Sequence, residues 1–105
     1  MAYYALFYHV VDHFVERRTP FREAHLSHAQ KASSRGELVL AGALAEPADT
    51  ALLVFRAESA DAAREFAEKD PYVRHGLVQR WEVRPWNVVV GEYANLPAAA
   101  GKGGS

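Results

Sequence analysis

Gly36-Glu37-Leu38-Val39-Leu40-Ala41-Gly42-Ala43-Leu44-Ala45-Glu46-Pro47-Ala48-Asp49-Thr50-Ala51-Leu52-Leu53-Val54-Phe55-Arg56 fixes the topology of this chain. Two largely aliphatic runs, 37–45 and 50–56, flank a Glu-Pro-Ala-Asp tetrad with turn chemistry. They read as the two strands of a hairpin. In the first, Leu38, Leu40 and Leu44 share a face with Gly42 by the period of two. The segments before and after this hairpin read as helices. Thr19 suits an N-cap, and Pro20 suits the first helical position, where its missing N–H costs nothing. The helix runs to about Arg35, with Gly36 supplying the left-handed position past its end. At 100° per residue, Phe21, Ala24, His25, His28 and Ala32 form one stripe, so two histidines lie on the side that meets the sheet. After the hairpin, Ser59 caps a second helix with Asp61 in its first turn. Ala62, Ala63, Phe66 and Ala67 form its inner face. The helix stops near Lys69, because Pro71 disfavours helical geometry at Asp70.

The two ends of the chain supply the remaining strands. Ala2–Val11 is apolar on both alternating faces: Tyr3, Ala5 and Phe7 on one, and Tyr4, Leu6, Tyr8 and Val10 on the other. That pattern belongs to a strand buried on both sides. Pro71–His75 reads as one helical turn closed by Gly76. Leu77 to about Val90 reads as a long last strand, in which Pro85 marks a bulge, a bend or an edge. From Ala94 the chain is mostly Ala, Gly and Pro and reads as a disordered tail. The expected organisation is one domain over residues 1–93 and a tail over 94–105.

Strand, helix, strand, strand, helix, strand is the order of the split βαβ arrangement. The fold class is therefore α+β: a ferredoxin-like βαββαβ with a four-stranded antiparallel sheet and both helices on one face. The other face would expose a large apolar surface, which monomers rarely tolerate. A homodimer with sheet packed on sheet, a dimeric α+β barrel-type assembly, is the simplest cover.

Bulk composition narrows the function. The chain has 105 residues, enough for one modest core. It has no cysteine, which excludes disulfides, thiolate metal sites and cysteine nucleophiles. Its formal net charge is −1, from 12 basic and 13 acidic residues, so it carries no electrostatic footprint for nucleic acid. No secretory leader or apolar span is visible, and a cytoplasmic, non-membrane protein is expected. Phosphate loops, dinucleotide fingerprints and nucleophile elbows are also missing. Neither a cofactor nor a metal is expected. His25 and His28 have the spacing to share a metal, but zinc signatures and companion carboxylates are lacking.

Arg22-x-x-His25-Leu26, Gly36-Glu37-Leu38-Val39-Leu40-Ala41-Gly42, Asp70-Pro71-Tyr72 with Gly76-Leu77, and Arg84-Pro85-Trp86 occur in an order and spacing that resembles the YciI-like family. The resemblance covers residues 3–93. It implies a dimeric ferredoxin-like protein in which a helix histidine and an aspartate before a proline share a pocket; here these are His25 and Asp70. One departure is Ala43, where many relatives carry proline after the strand glycine, at the expected pocket rim.

An imidazole accepts a proton near neutral pH, and a carboxylate can orient it and raise its basicity. His25 is thus a candidate general acid or base held by Asp70. The plainer reading makes His25 a core histidine bonded to a carbonyl, and Asp70 the cap of the Pro71 turn. Candidate substrate contacts are Arg22, His28, His9 and Tyr72. Three of them have a bland counterpart: surface pairing for Arg22, packing for His28, cross-strand pairing for His9. Trp81 and Trp86 read as core or sheet–sheet residues. The resulting expectation is a small cofactor-independent enzyme. It would move a proton in an elimination or isomerisation of a small organic substrate. The alternative is a non-catalytic dimeric module that binds a small metabolite in the same pocket or serves as an accessory subunit.

Overall fold

A computed structural model describes residues 1–91 of the chain. The sheet is formed by β1 (Ala2–Val10), β2 (Leu38–Ala43), β3 (Thr50–Ala57) and β4 (Val78–Trp86), in the order β2-β3-β1-β4. Every neighbouring pair is antiparallel. The helical segments are α1 (Phe14–Arg17), a 3₁₀ turn (Thr19–Phe21), α2 (Arg22–Ser34), α3 (Asp61–Lys69) and α4 (Pro71–Arg74). This is the expected α+β, ferredoxin-like βαββαβ arrangement. The expected tail beyond Ala94 lies outside the described residues.

The first helix begins differently from the sequence expectation. Thr19 makes no side-chain cap; Thr19-Pro20-Phe21 forms a 3₁₀ turn, and α2 starts at Arg22. Pro20 fits this tighter turn for the reason given for a helix start. The inner stripe is also shifted. Ala24 is exposed, while Phe21, His25, His28, Ala29 and Ala32 turn inward to varying depth. At the far end, Gly36 takes φ +81, its N–H donates to Ser33 O at 2.9 Å, and the Glu37 N–H donates to Ala32 O at 3.1 Å. This is the Schellman pattern, and it satisfies two carbonyls that the helix end leaves open. Gly76 repeats it after α4, with φ +77 and bonds from Gly76 N to Val73 O and from Leu77 N to Tyr72 O.

β1 and β3 place Tyr4, Leu6, Tyr8, Ala51, Leu53 and Phe55 toward the helices, where Ala63, Phe66 and Ala67 of α3 close the core. Phe55 meets Phe66 edge-on at 5.3 Å between ring centroids. Leu38 and Leu40 do not share a face as the alternation predicts. The pairing register of β2 shifts between them, so Leu38 joins the core at 7 % exposure while Leu40 is 70 % exposed. One extra residue in a strand inverts the side of everything after it. β2 also ends at Ala43, two residues short of the expected limit. β4 spans Val78–Trp86 rather than 77–90, and it is an edge strand, which tolerates the missing N–H of Pro85. No helix among the described residues is long and apolar enough to cross a membrane.

Candidate active site

The site forms where β1, α2 and the α3–α4 junction meet. Pro71 forces Asp70 out of helical geometry, to φ −68 and ψ 126, and this ends α3 at Lys69. The same geometry makes Asp70 the N-cap of α4: its Oδ1 accepts the Tyr72 backbone N–H at 2.9 Å. The carboxylate is fully buried. It meets His25 Nδ1 at 2.9 Å from Oδ1 and 3.1 Å from Oδ2, and it accepts the Tyr8 hydroxyl at 2.7 Å on Oδ2. One carboxylate thus caps a helix and hydrogen-bonds a histidine at the same time.

Three donors around one buried carboxylate offset the cost of removing its charge from water. A carboxylate only accepts, so the bond assigns the ring proton of neutral His25 to Nδ1 and leaves the Nε2 lone pair for a ligand. Tyr72 lies flat against the His25 ring, 3.9 Å between centroids at 7°, and Phe14 abuts Tyr72 edge-on at 5.4 Å. The imidazole is thus fixed by a hydrogen bond at its edge and an aromatic plane on its face. Burial raises the pKa of the Tyr8 hydroxyl far above its ordinary 10.0, and the adjacent Asp70 charge and hydrogen bond raise it further. Both effects favour the protonated hydroxyl that donates to Asp70.

His25 opens onto a cavity of about 350 Å³. Tyr8, Phe14, Arg18, Arg22 and Tyr72 line it beside His25, Ala51 and Leu53 contribute from β3, and Ala41–Ala43 contribute from β2. Ala43, the departure from the family pattern, is therefore part of the wall. Arg22 Nη1 donates to the Tyr72 hydroxyl over a long 3.4 Å, rather than pairing with Glu23 or Glu65. The Arg18 guanidinium lies 5.3 Å from the centre of the Phe14 ring.

The other candidate residues lie elsewhere. His28 turns toward α3, donates from Nε2 to Phe66 O at 2.9 Å and stacks on the Phe66 ring; it joins two helices and does not line the cavity. His9 belongs to the β1 row that faces away from the helices, with Nε2 3.5 Å from Glu82 of β4. The cross-strand alternative is the one it adopts. His75 stacks on Phe21 at the end of α4. Among the described residues no three side chains of metal-binding type come together. The sequence reading missed Tyr8, Phe14 and Arg18 as parts of the site. For Tyr8 one signal was present: a hydroxyl in the row with Leu6 and Val10 needs a buried partner.

A family model described as the YCII-related domain matches residues 1–87, and the chain belongs to that family. No curated protein matches its sequence. Among solved structures it is similar to 5-chloro-2-hydroxyhydroquinone dehydrochlorinase (TftG) of Burkholderia phenoliruptrix, in complex with 2,5-dihydroxybenzoquinone. The identity is 20% and the TM-score 0.67, over 80% of this chain and 92% of that one. It is also similar to a protein of Agrobacterium tumefaciens, at 18% identity and TM-score 0.57, over 92% of this chain and 100% of that one. A NIPSNAP family protein of the same organism matches at 15% identity and TM-score 0.55, over 90% and 97% of the two chains. At these identities the likenesses concern the fold.

Proposed function

We propose that this protein is a cofactor-independent enzyme that moves a proton on a small cyclic organic substrate, with elimination or isomerisation as the outcome. The observation that carries the reading is a cavity-lining histidine whose Nδ1 is held by a buried carboxylate at 2.9 Å. In this reading His25 Nε2 takes a proton from the substrate. The electron pair left behind forms a double bond within the substrate. Either a leaving group departs as an anion, or the proton returns at a second position. Asp70 stabilises the imidazolium formed in between and keeps the ring oriented. The cavity is of a size for one ring rather than an extended ligand. Further support comes from TftG, whose name describes loss of hydrogen chloride from a chlorinated hydroxyhydroquinone and whose structure holds a dihydroxybenzoquinone. The test is turnover on a panel of halogenated and hydroxylated quinols and cyclic enols, followed for the active members in His25→Gln. A loss of about 10²-fold or more in kcat with an unchanged melting temperature is expected. Activity undiminished in His25→Gln would remove the histidine from the mechanism.

We further propose assembly as a dimer through the sheet face opposite the helices, where Tyr3, Ala5 and Val54 are already buried within the chain. Phe7 and Leu52 are only half-buried there, and Leu40 and Trp86 are exposed. Light scattering on the eluted protein should give twice the mass of one chain. Leu52→Glu, which places a charge in the middle of that face, should give one chain mass. A wild-type monomer would rule the pairing out.

A further inference from the structure

The cavity has an electrostatic character that proton transfer alone does not require. Arg22, His25 and Ala29 follow one another at spacings of three and four residues along α2, so they form one stripe in its wall, and Arg18 joins them from the turn before α2. The rest of the lining is aromatic or aliphatic, and no Asp or Glu side chain is part of it. Neither arginine forms an ion pair among the described residues. Each is held by an aromatic residue of the site instead: Arg18 over the Phe14 ring, and Arg22 by the Tyr72 hydroxyl. Asp70 forms no ion pair with either arginine; its acceptor sites are occupied by Tyr8, Tyr72 and His25. Two guanidinium groups thus line a largely apolar pocket without an ion-pair partner among the described residues. A neutral ligand would desolvate them without return, whereas an anion would meet forked donors suited to carboxylate or ring-oxygen charge.

From this we infer that the substrate is a small ring-bearing organic anion, gripped at its charged group by Arg18 and Arg22 so that the ring lies against Tyr72 and His25. This inference rests on the acid–base reading of the site and adds the class of substrate. In an elimination the same pair would also favour a product or leaving group that carries negative charge.

The test compares benzoate with benzamide, which match in shape and differ in charge, by chemical-shift titration of the whole protein. Benzoate should bind about tenfold tighter than benzamide, and added salt should narrow the gap. Arg18→Gln and Arg22→Gln should each reduce the preference, and the double variant should bind the two compounds alike, with a melting temperature close to wild type. A phenolate tested beside its methyl ether separates ring-oxygen charge from carboxylate charge as the preferred form. Equal binding of the charged and neutral members of both pairs would overturn the inference, as would absence of millimolar binding by either anion or a preference that survives in the double variant. Failure here is distinguishable from failure of the enzyme reading. His25→Gln should keep the anion preference while losing turnover. An absent preference with His25-dependent turnover would remove only the substrate class.

Discussion

Asp70→Ala is expected to lower the stability of the folded chain by about 3–5 kcal/mol and to abolish turnover. Three groups depend on this carboxylate: the Tyr8 hydroxyl, the Tyr72 backbone N–H and His25 Nδ1. Two of them come from fully or nearly fully buried residues, and a buried donor left without an acceptor costs about 1–3 kcal/mol. One of these two, the Tyr72 N–H, is the α4 cap itself, so the cap and the buried donor are a single loss. Asp70→Asn separates the structural from the chemical role. The amide keeps the volume and one acceptor oxygen, so the stability loss should be smaller, about 1–2 kcal/mol. If its NH₂ group faces His25, Nδ1 must accept, and the ring proton moves to Nε2. That would block the nitrogen proposed as the base, and turnover should then fall by about 10²–10⁴-fold. Urea unfolding and kcat on the same preparations check both expectations. An Asp70→Ala protein as stable as wild type would mean that the network does not form.

Tyr8→Phe should cost about 1.5–3 kcal/mol near neutral pH, because it removes one hydrogen bond to a buried charge without changing the packing volume. It should also leave a mark in alkali. The folded Tyr8 hydroxyl is raised well above the ordinary 10.0 by burial and by Asp70, whereas the unfolded chain ionises at the ordinary value. Above pH of about 10 the unfolded state therefore binds fewer protons than the folded one, and stability falls as pH rises. One such group contributes a slope of about 1.4 kcal/mol per pH unit in that range. The contribution is complete below pH of about 10 and is lost above it. Phenylalanine cannot contribute it, so the two stability curves should converge above pH of about 10. Parallel curves through that range would show that Tyr8 is not in the environment described.

What could be read in advance depended on whether a residue's local chemistry settled its geometry. Gly36, Gly76 and Pro71 did, because a positive φ or a restricted neighbour leaves few alternatives. They marked the ends of α2, α4 and α3, and with the hairpin they gave the topology. The start of α2 was less legible, since Thr-Pro suits a 3₁₀ turn as well as an α-helix. The register shift between Leu38 and Leu40 has no residue marker at all. It is a property of pairing with β3 and emerges only when the sheet is assembled.

The site was legible in the same uneven way. His25 and Asp70 came from the family resemblance, and their meeting is a matter of tertiary geometry. His9 was ambiguous because both faces of β1 are apolar, so alternation could not say which row meets the helices. The same ambiguity hid Tyr8, whose hydroxyl is the second side-chain donor to Asp70. His28 shares the stripe of His25, but it sits one turn nearer α3, where the Phe66 carbonyl and ring take it up.

The central claim is that Asp70 holds His25 with Nδ1 protonated and Nε2 free, and the ring nitrogens can be asked directly. A long-range ¹H–¹⁵N correlation spectrum should be recorded at a pH where the imidazole signals have stopped moving. It should give His25 a pyrrole-like Nδ1 and a pyridine-like Nε2, and Asp70→Asn should shift the balance toward the opposite tautomer. A wild-type His25 protonated at Nε2, or one whose tautomer is indifferent to Asp70→Asn, would contradict the account.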